Sequence, residues 1–239
     1  MLRFTVGALV LAVFAWGAQA LPGCSGDRCL PGLRGDVLSV ETTSTVNQTV
    51  VRQRLEFSAK GDLTRTERAE GRVTTSTEYT RGDAGLTSVT HRRGDDVVLL
   101  EQFDSPLESS LLDAAKRVTE RCQYTRDSLN RVTRRTCTGE GIIHTQSLEY
   151  DADGFLARQR LSAMSGAFGM QTETTYESGL EQTWSVAFVA PGNDRRANFM
   201  YRYEHTDTNG NWLERTRLDE RGSSVEREAR EITYFNATQ

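Results

Sequence analysis

The segment Glu149-Tyr150-Asp151-Ala152-Asp153-Gly154-Phe155-Leu156 decides the fold of this 239-residue chain. A tyrosine ends a polar stretch, a short turn sequence with Asp and Gly follows, and apolar residues open the next stretch. Asp and Gly are typical turn residues, and aromatic residues are enriched in strands. The segment therefore predicts two β-strands joined by a tight turn.

The same order of residues recurs along the chain. Aromatic residues followed by polar turns stand at positions 57, 79, 124, 150, 176, 203 and 234. The steps between them are 22, 45, 26, 26, 27 and 31 residues, and Phe103 falls inside the long step, in register with the series. A period in the twenties fits one hairpin of two strands. We predict a mainly β fold, a long antiparallel meander of repeated hairpins that forms a curled sheet or an open barrel.

One segment predicts a helix instead. Ser105 is a cap residue, Pro106 occupies the first helical position, and Glu108 lies three residues after the cap. Apolar residues follow at helical spacing: Leu107, Leu111, Leu112, Ala115 and Val118. We therefore expect one amphipathic helix near 106–117, packed over a sheet face or in an open end.

Two turns carry a resemblance to a known family. Tyr150-Asp151-Ala152-Asp153-Gly154 resembles the YD repeat of rearrangement-hotspot (RHS) proteins, and Asn209-Gly210-Asn211-Trp212-Leu213 is similar to variants of it in short exported bacterial proteins. Other units carry Thr80, Thr125 or Glu177 where the repeat has Asp. The resemblance implies a hairpin-repeat domain over 46–239. It implies no toxin activity, because we expect no separate C-terminal toxin domain.

The first 20 residues have the order of a secretory signal peptide. Arg3 precedes an uncharged apolar run from Val6 to Trp16, and Ala18-Gln19-Ala20 fits a cleavage site. Residues 21–45 would then form a leader that contains Cys24 and Cys29. Leu21-Pro22-Gly23-Cys24 also resembles a lipoprotein signal, so membrane attachment is expected only if Cys24 is lipidated. We predict export to the periplasm or the extracellular space, with association to the cell envelope.

Export places the four cysteines in an oxidising compartment, where disulfides form. Four cysteines allow three pairings, and we favour the local ones, Cys24–Cys29 and Cys122–Cys137. Zinc binding is disfavoured because the chain has no Cys-x-x-Cys pair. The oxygen-rich run Asp207-x-Asn209-x-Asn211 could hold calcium, but Asn-Gly favours a hairpin turn there. We expect no metal site and no cofactor.

Charge patterning excludes two further classes. A formal net charge of −4 gives no basic footprint for nucleic acid. Stretches such as Arg65–Glu70 place charges in both alternating sets of residues. A charged side chain that faces lipid at mid-bilayer costs ~2–4 kcal/mol, so the pattern argues against an integral outer-membrane barrel.

Aromatic residues concentrate between positions 184 and 212. Our candidate ligand-binding residues are Trp184, Phe188, Tyr201 and Trp212, with Phe199 and Tyr203 beside them. We expect Arg195, Arg196 and Arg202 to form their rim. A concave aromatic surface suits an apolar or carbohydrate ligand. The alternative is that these side chains form the hydrophobic floor of the sheet.

These features leave two candidate functions. The sequence has three histidines but no Gly-x-Ser-x-Gly motif that would supply a serine nucleophile. We therefore expect no catalytic residues and no enzyme. The first candidate is an exported, non-enzymatic structural or interaction module of the envelope, with an envelope protein as partner. The second is a carrier that holds an apolar (lipid or lipoprotein-like) or carbohydrate ligand on a curved sheet.

Overall fold

Sixteen β-strands build the fold, which comes from a computed structural model that describes residues 33–46, 48–83, 85–192 and 194–235. The strands are β1 (Val37–Val46), β2 (Thr49–Phe57), β3 (Leu63–Glu70), β4 (Val73–Gly82), β5 (Gly85–Arg93), β6 (Asp96–Ser105), β7 (Glu108–Asp113), β8 (Val118–Arg126), β9 (Val132–Gly139), β10 (Ile142–Tyr150), β11 (Leu156–Ser165), β12 (Phe168–Glu177), β13 (Leu180–Val189), β14 (Arg195–Thr206), β15 (Trp212–Asp219) and β16 (Ser224–Tyr234).

Each strand pairs antiparallel with the next one along the chain, and β1 also pairs with β16. Val40 on β1, for example, lies between Leu55 on β2 and Ile232 on β16. The sheet therefore closes into a barrel. The predicted antiparallel meander of repeated hairpins is confirmed, and the closure leaves no unpaired sheet edge.

The sequence repeat corresponds to one hairpin. Each even-numbered strand carries an aromatic residue near its C-terminal end: Phe57, Tyr79, Phe103, Tyr124, Tyr150, Tyr176, Tyr203 and Tyr234. Because all even-numbered strands run in the same direction, these rings gather at one end of the barrel. We call that end the base, and the opposite end the rim. Phe103 belongs to the series, so the 45-residue step contains two hairpins.

Aspartate caps shape the loops of the repeat. The Asp127 carboxylate accepts hydrogen bonds from the backbone N–H groups of Leu129 (3.0 Å) and Arg131 (2.9 Å). Asp207 binds the N–H groups of Asn209 and Asn211 in the same way, both at 2.9 Å. The fourth residue of each loop has positive φ, 62° at Asn130 and 80° at Gly210, which few residue types adopt easily. One oxygen of each aspartate thus bonds within its own loop, as the turn alternative at 207–211 requires, and the second oxygen of Asp207 accepts a hydrogen bond from the Tyr234 hydroxyl.

The helix predicted near 106–117 is wrong. Residues 108–113 form β7, which pairs with both β6 and β8. The Ser105 hydroxyl accepts a hydrogen bond from the Leu107 N–H at 3.2 Å, so it organises a two-residue turn instead of capping a helix. Pairing on both sides satisfies the backbone of β7 and buries Leu111, and this tertiary context overrides the helical spacing.

The boundaries of the leader also differ from the sequence interpretation. Strand β1 begins at Val37, so the barrel starts within the segment 21–45 that was assigned to the leader. The predicted signal peptide 1–20 and the pair Cys24–Cys29 lie outside the described residues. Within the described ranges, no helix is long and apolar enough to cross a membrane.

Two apolar clusters line the inner face of the barrel towards its base. One lies on β1–β5 around Val40, Leu55 and Tyr79, and the other on β7–β11 around Tyr124 and Leu148. Phe103 on β6 packs against both clusters. On strands such as β1, β8 and β10 the buried residues alternate with more exposed ones, and the register aligns them across strands. Burial thus identifies which residues face inward.

Many outward-facing residues are charged, and some, such as Met200 and Ile143, are apolar and exposed. Arg160 on β11 lies opposite Glu173 on β12, and their side chains form an ion pair at 2.7 Å that is about half exposed. Arg54 and Glu56 form another on β2 at 2.9 Å. Charges therefore occupy the middle of the outer surface on separate parts of the barrel.

Candidate functional site

The inner face of β13–β16 differs from the apolar clusters because aromatic rings and arginines lie side by side on it. We call this surface the arginine–aromatic wall and define it by Trp184, Phe199, Tyr201, Trp212, Arg215, Arg217 and Arg230. The register places Trp184 opposite Phe199, and Tyr201 opposite Arg217. All seven side chains therefore belong to one continuous surface.

The rim side of the wall is an aromatic pair beneath a guanidinium group. The rings of Trp184 and Phe199 stack with centroids 5.0 Å apart and an interplanar angle of 24°. The Arg217 guanidinium lies 4.9 Å from the first centroid and 5.1 Å from the second. An ion pair with Glu226 at 2.8 Å fixes this arginine. Both rings keep part of their surface accessible, so the pair borders the interior of the barrel.

The middle of the wall is a buried ion-pair network. Arg215 bonds to the carboxylates of Glu181 and Glu228, and its guanidinium lies 4.3 Å from the ring centroid of Tyr201. Burial acts to lower the pKa of Arg215, but the two carboxylates outweigh it and hold that pKa well above the ordinary arginine value. For the Tyr201 hydroxyl, by contrast, burial raises the pKa. Both groups therefore keep a fixed protonation state at neutral pH.

The base side of the wall is built on Trp212, which is only 1% exposed. Arg215 covers the indole at 4.2 Å from its centroid and Arg230 at 3.5 Å. Tyr203 packs against the same ring with centroids 6.1 Å apart. Trp212 therefore supports the two arginines from below.

The structure brings most of the predicted ligand-binding residues together. Trp184, Tyr201 and Trp212 all lie on the arginine–aromatic wall, and Phe188 faces inward near the rim, where it is 47% exposed. The three arginines that we expected to border the aromatic residues do not lie together. Arg196 and Arg202 lie on the outer face, and Arg195 lies opposite Phe188 at the rim.

Sequence reasoning missed the arginines that do contact the rings. Arg215 and Arg217 alternate along β15, and Glu226, Glu228 and Arg230 alternate along β16. Alternation places each set on one face of its strand. That signal is present in the sequence, but it becomes an inward-facing wall only when pairing with β14 and β1 is known.

A second buried polar cluster lies on the opposite part of the barrel. Arg135 on β9 bonds to Glu101 on β6 at 2.8 Å, and the Tyr124 hydroxyl donates to the same carboxylate at 2.5 Å. The Ser109 hydroxyl donates to it at 2.6 Å. Burial acts to raise the pKa of Glu101, but the Arg135 charge and these hydrogen bonds outweigh it, so that pKa lies below its ordinary value. Glu101 is thus a stably ionised carboxylate with three hydrogen-bond donors on one of its oxygens.

His91 lies beside this cluster and provides a pH test of the barrel interior. Its Nδ1 atom lies 3.0 Å from the Thr77 hydroxyl oxygen. Burial lowers the pKa of His91 from 6.5 to about 4, against the attraction of Glu101 and together with the repulsion of Arg135. The folded protein therefore resists protonation of this ring, whereas the unfolded chain accepts the proton near pH 6.5.

We expect the free energy of unfolding to decrease by about 3 kcal/mol through this group alone as pH falls from 6.5 towards 4. Urea unfolding at several pH values would measure it as the difference between the native chain and His91→Gln. The control is His205→Gln, because the side chain of His205 is 69% exposed. Parallel pH profiles for the native chain and His91→Gln would contradict the prediction.

The predicted disulfide Cys122–Cys137 is confirmed. The two cysteines lie directly opposite each other on β8 and β9, and both are buried in the apolar cluster of β7–β11. The bond encloses the hairpin whose loop contains Asp127 and Asn130. It therefore cross-links one repeat unit on the inner face.

The fold defines the protein as a closed, antiparallel 16-stranded β-barrel. A porin-like protein from Bacteroides uniformis has a similar fold, with a TM-score of 0.51 and 10% identity over 82% of this chain and 98% of that one. A porin-like protein from Bacteroides vulgatus has a TM-score of 0.41 and 11% identity over 85% of this chain and 100% of that one. No protein-family model and no curated protein matches the chain.

At these identities, the likeness to the Bacteroides uniformis protein concerns the fold alone. The resemblance to RHS repeats remains a prediction. Functional conclusions have to come from the surfaces of the barrel itself.

Proposed function

We propose that this chain is an exported, non-enzymatic binding protein of the cell envelope that holds an apolar or carbohydrate ligand inside its barrel. The observation that carries the proposal is the arginine–aromatic wall on the inner face of β13–β16, with the stacked rings of Trp184 and Phe199 partly accessible. Accessible aromatic faces bind apolar and sugar rings by stacking.

The width of the barrel supports an internal ligand. Porin barrels of 16–18 strands leave an aqueous channel, and this barrel has sixteen strands. Access is expected from the rim, because inward-facing Phe168 and Phe188 are 62% and 47% exposed there. At the base, inward-facing Leu63 and Trp212 are 3% and 1% exposed. The barrel then acts as a cup.

The outer surface supports an aqueous setting. Arg158 and Arg160 lie between Glu149 and Glu173 in a network of ion pairs across β10–β12, with distances of 2.7–3.8 Å. In a bilayer each mid-depth arginine on a lipid-facing surface costs ~2–4 kcal/mol. We therefore propose that the barrel works in water, in the periplasm or outside the cell, and that any membrane contact requires lipidation at Cys24.

Solvent extraction of the purified mature protein, followed by mass spectrometry, tests this function. We expect a stoichiometric ligand from the native protein and from Met200→Ala, which changes an exposed residue on the outer face of β14. We expect Phe199→Ala, the adjacent inward-facing position, to lose most of it. Clean extracts from the native protein, prepared under mild conditions, would contradict a carrier function.

A second candidate function, an interaction module of the envelope, rests on the rim. Exposed apolar side chains lie near the start of several even-numbered strands there: Val50, Val73, Val118, Ile143 and Phe168, all at least 40% exposed. Exposed apolar residues gathered at one end of a protein can take part in binding another protein. In-cell cross-linking would test it. The expected result is a partner band of defined mass that Phe168→Ser removes and that Leu129→Ser, in an exposed loop at the base, preserves.

A further inference from the structure

The charges of the arginine–aromatic wall are not all paired. Arg215 forms ion pairs with Glu181 and Glu228, and Arg217 forms an ion pair with Glu226. Arg230 has no carboxylate within ion-pair distance among the described residues. Its Nε and Nη1 atoms are buried and have no hydrogen-bond partner within the same residues. A guanidinium group has five N–H donors and cannot give up its charge easily, so this arrangement is costly.

The position of Arg230 shows where its donors lie. It is on the inner face of β16, opposite the buried Thr42 of β1, and its guanidinium lies flat on the Trp212 ring. Stacking occupies one face of the guanidinium group and leaves its N–H edge for in-plane acceptors. The residue as a whole keeps intermediate solvent exposure, so it borders the interior space of the barrel.

The electrostatic surroundings point the same way. Burial and, to a smaller extent, the charge of Arg215 lower the pKa of Arg230 to about 9, although Glu228 and Glu181 act to raise it. The two carboxylates face the wall but are bonded to Arg215. An additional acceptor with negative charge would restore the usual pKa of Arg230 and satisfy its donors.

We propose that Arg230 is the recognition residue for an oxyanion group, a carboxylate, sulfate or phosphate, that enters the barrel and pairs with the guanidinium charge. This inference deepens the proposed function, because it gives the ligand of the arginine–aromatic wall an acidic group. Trp212 positions the guanidinium by stacking and Thr42 flanks it across the strand pair. The apolar or sugar part of the ligand would lie towards Trp184 and Phe199.

Calorimetric titration of the mature protein in a chloride buffer tests the site with defined probes. Sodium sulfate and sodium phosphate form one arm, sodium benzoate forms the other, and benzamide is the uncharged counterpart of benzoate. We expect saturable binding in at least one arm and none with benzamide. The arm that binds more tightly distinguishes an inorganic oxyanion from an organic acid.

Variants on one strand separate the site from general charge effects. Arg230→Met keeps a long apolar side chain over Trp212, and we expect it to weaken oxyanion binding about 10- to 100-fold, the range for hydrogen bonds to a charged group. Arg227→Met on the outer face of β16, where the side chain of Arg227 is 73% exposed, should bind like the native protein. Equal affinity in the native protein and Arg230→Met would overturn the proposal.

Stability gives a second readout that needs no ligand. In oxyanion-free buffer, Arg230→Met should be at least as stable as the native chain, because it removes a buried charge without a partner. A large destabilisation would instead indicate a protein partner and would also overturn the proposal. If solvent extracts yield a neutral ligand that depends on Phe199 and not on Arg230, the oxyanion site fails while the binding function stands.

Discussion

Replacing Arg135 by methionine is expected to lower the free energy of unfolding by about 3–5 kcal/mol, the usual effect of breaking a buried ion pair. The reason is that Glu101, 4% exposed, would keep a buried charge after losing its cation at 2.8 Å. The cluster joins β6, β8 and β9, so the loss affects several repeats together. Urea unfolding followed by circular dichroism measures the change.

Two variants make this result specific. Arg134→Met changes the adjacent, outward-facing position on β9 and should cost much less. The double variant Arg135→Met with Glu101→Gln should recover part of the loss, because it removes the unpaired charge. Equal free energies of unfolding for Arg135→Met and Arg134→Met would show that the buried ion pair of Arg135 with Glu101 does not stabilise the fold.

Trp212→Ala is the second substitution with a large expected effect, also about 3–5 kcal/mol. Trp212 is fully buried and supports both Arg215 and Arg230 on its ring, so truncation leaves a cavity and removes two cation–π contacts. The loss should also weaken ligand binding through Arg230. Urea unfolding of the variant in the absence of ligand gives the stability change.

Trp184→Ala is the matched comparison, since both positions are tryptophans of the same wall. Trp184 keeps part of its surface accessible and stacks on Phe199, so we expect a smaller loss of stability and a direct loss of ligand. The two variants separate support of the wall from contact with the ligand. A larger stability loss in Trp184→Ala than in Trp212→Ala would contradict this division.

Local signals in the sequence predicted the repeat and the disulfide because both depend on neighbouring residues. The Asp127 and Asp207 caps form hydrogen bonds within five-residue loops, so their pattern is visible without any tertiary information. Cys122 and Cys137 belong to one hairpin. Closure of the barrel is different, because it depends on pairing between β1 and β16 at opposite ends of the chain.

Two predictions failed, the helix near 106–117 and the placement of arginines beside the aromatic residues. Leu107, Leu111 and Leu112 have helical spacing, but β6 and β8 supply the backbone partners that make β7 a strand. Arg196 and Arg202 are close in sequence to the aromatic residues, yet strand alternation places them on the outer face. The wall instead takes Arg215, Arg217 and Arg230 from strands that become neighbours only through pairing.

Detergent-free size-exclusion chromatography with light scattering tests the central claim most directly, namely that this barrel is charged and water-facing outside and binds its ligand inside. The measurement uses the exported chain with Cys24→Ser and Cys29→Ser, which removes the possible lipid attachment site. The account predicts a soluble, folded particle of defined mass without detergent. A chain that stays in the membrane pellet and becomes soluble and folded only in detergent would contradict it.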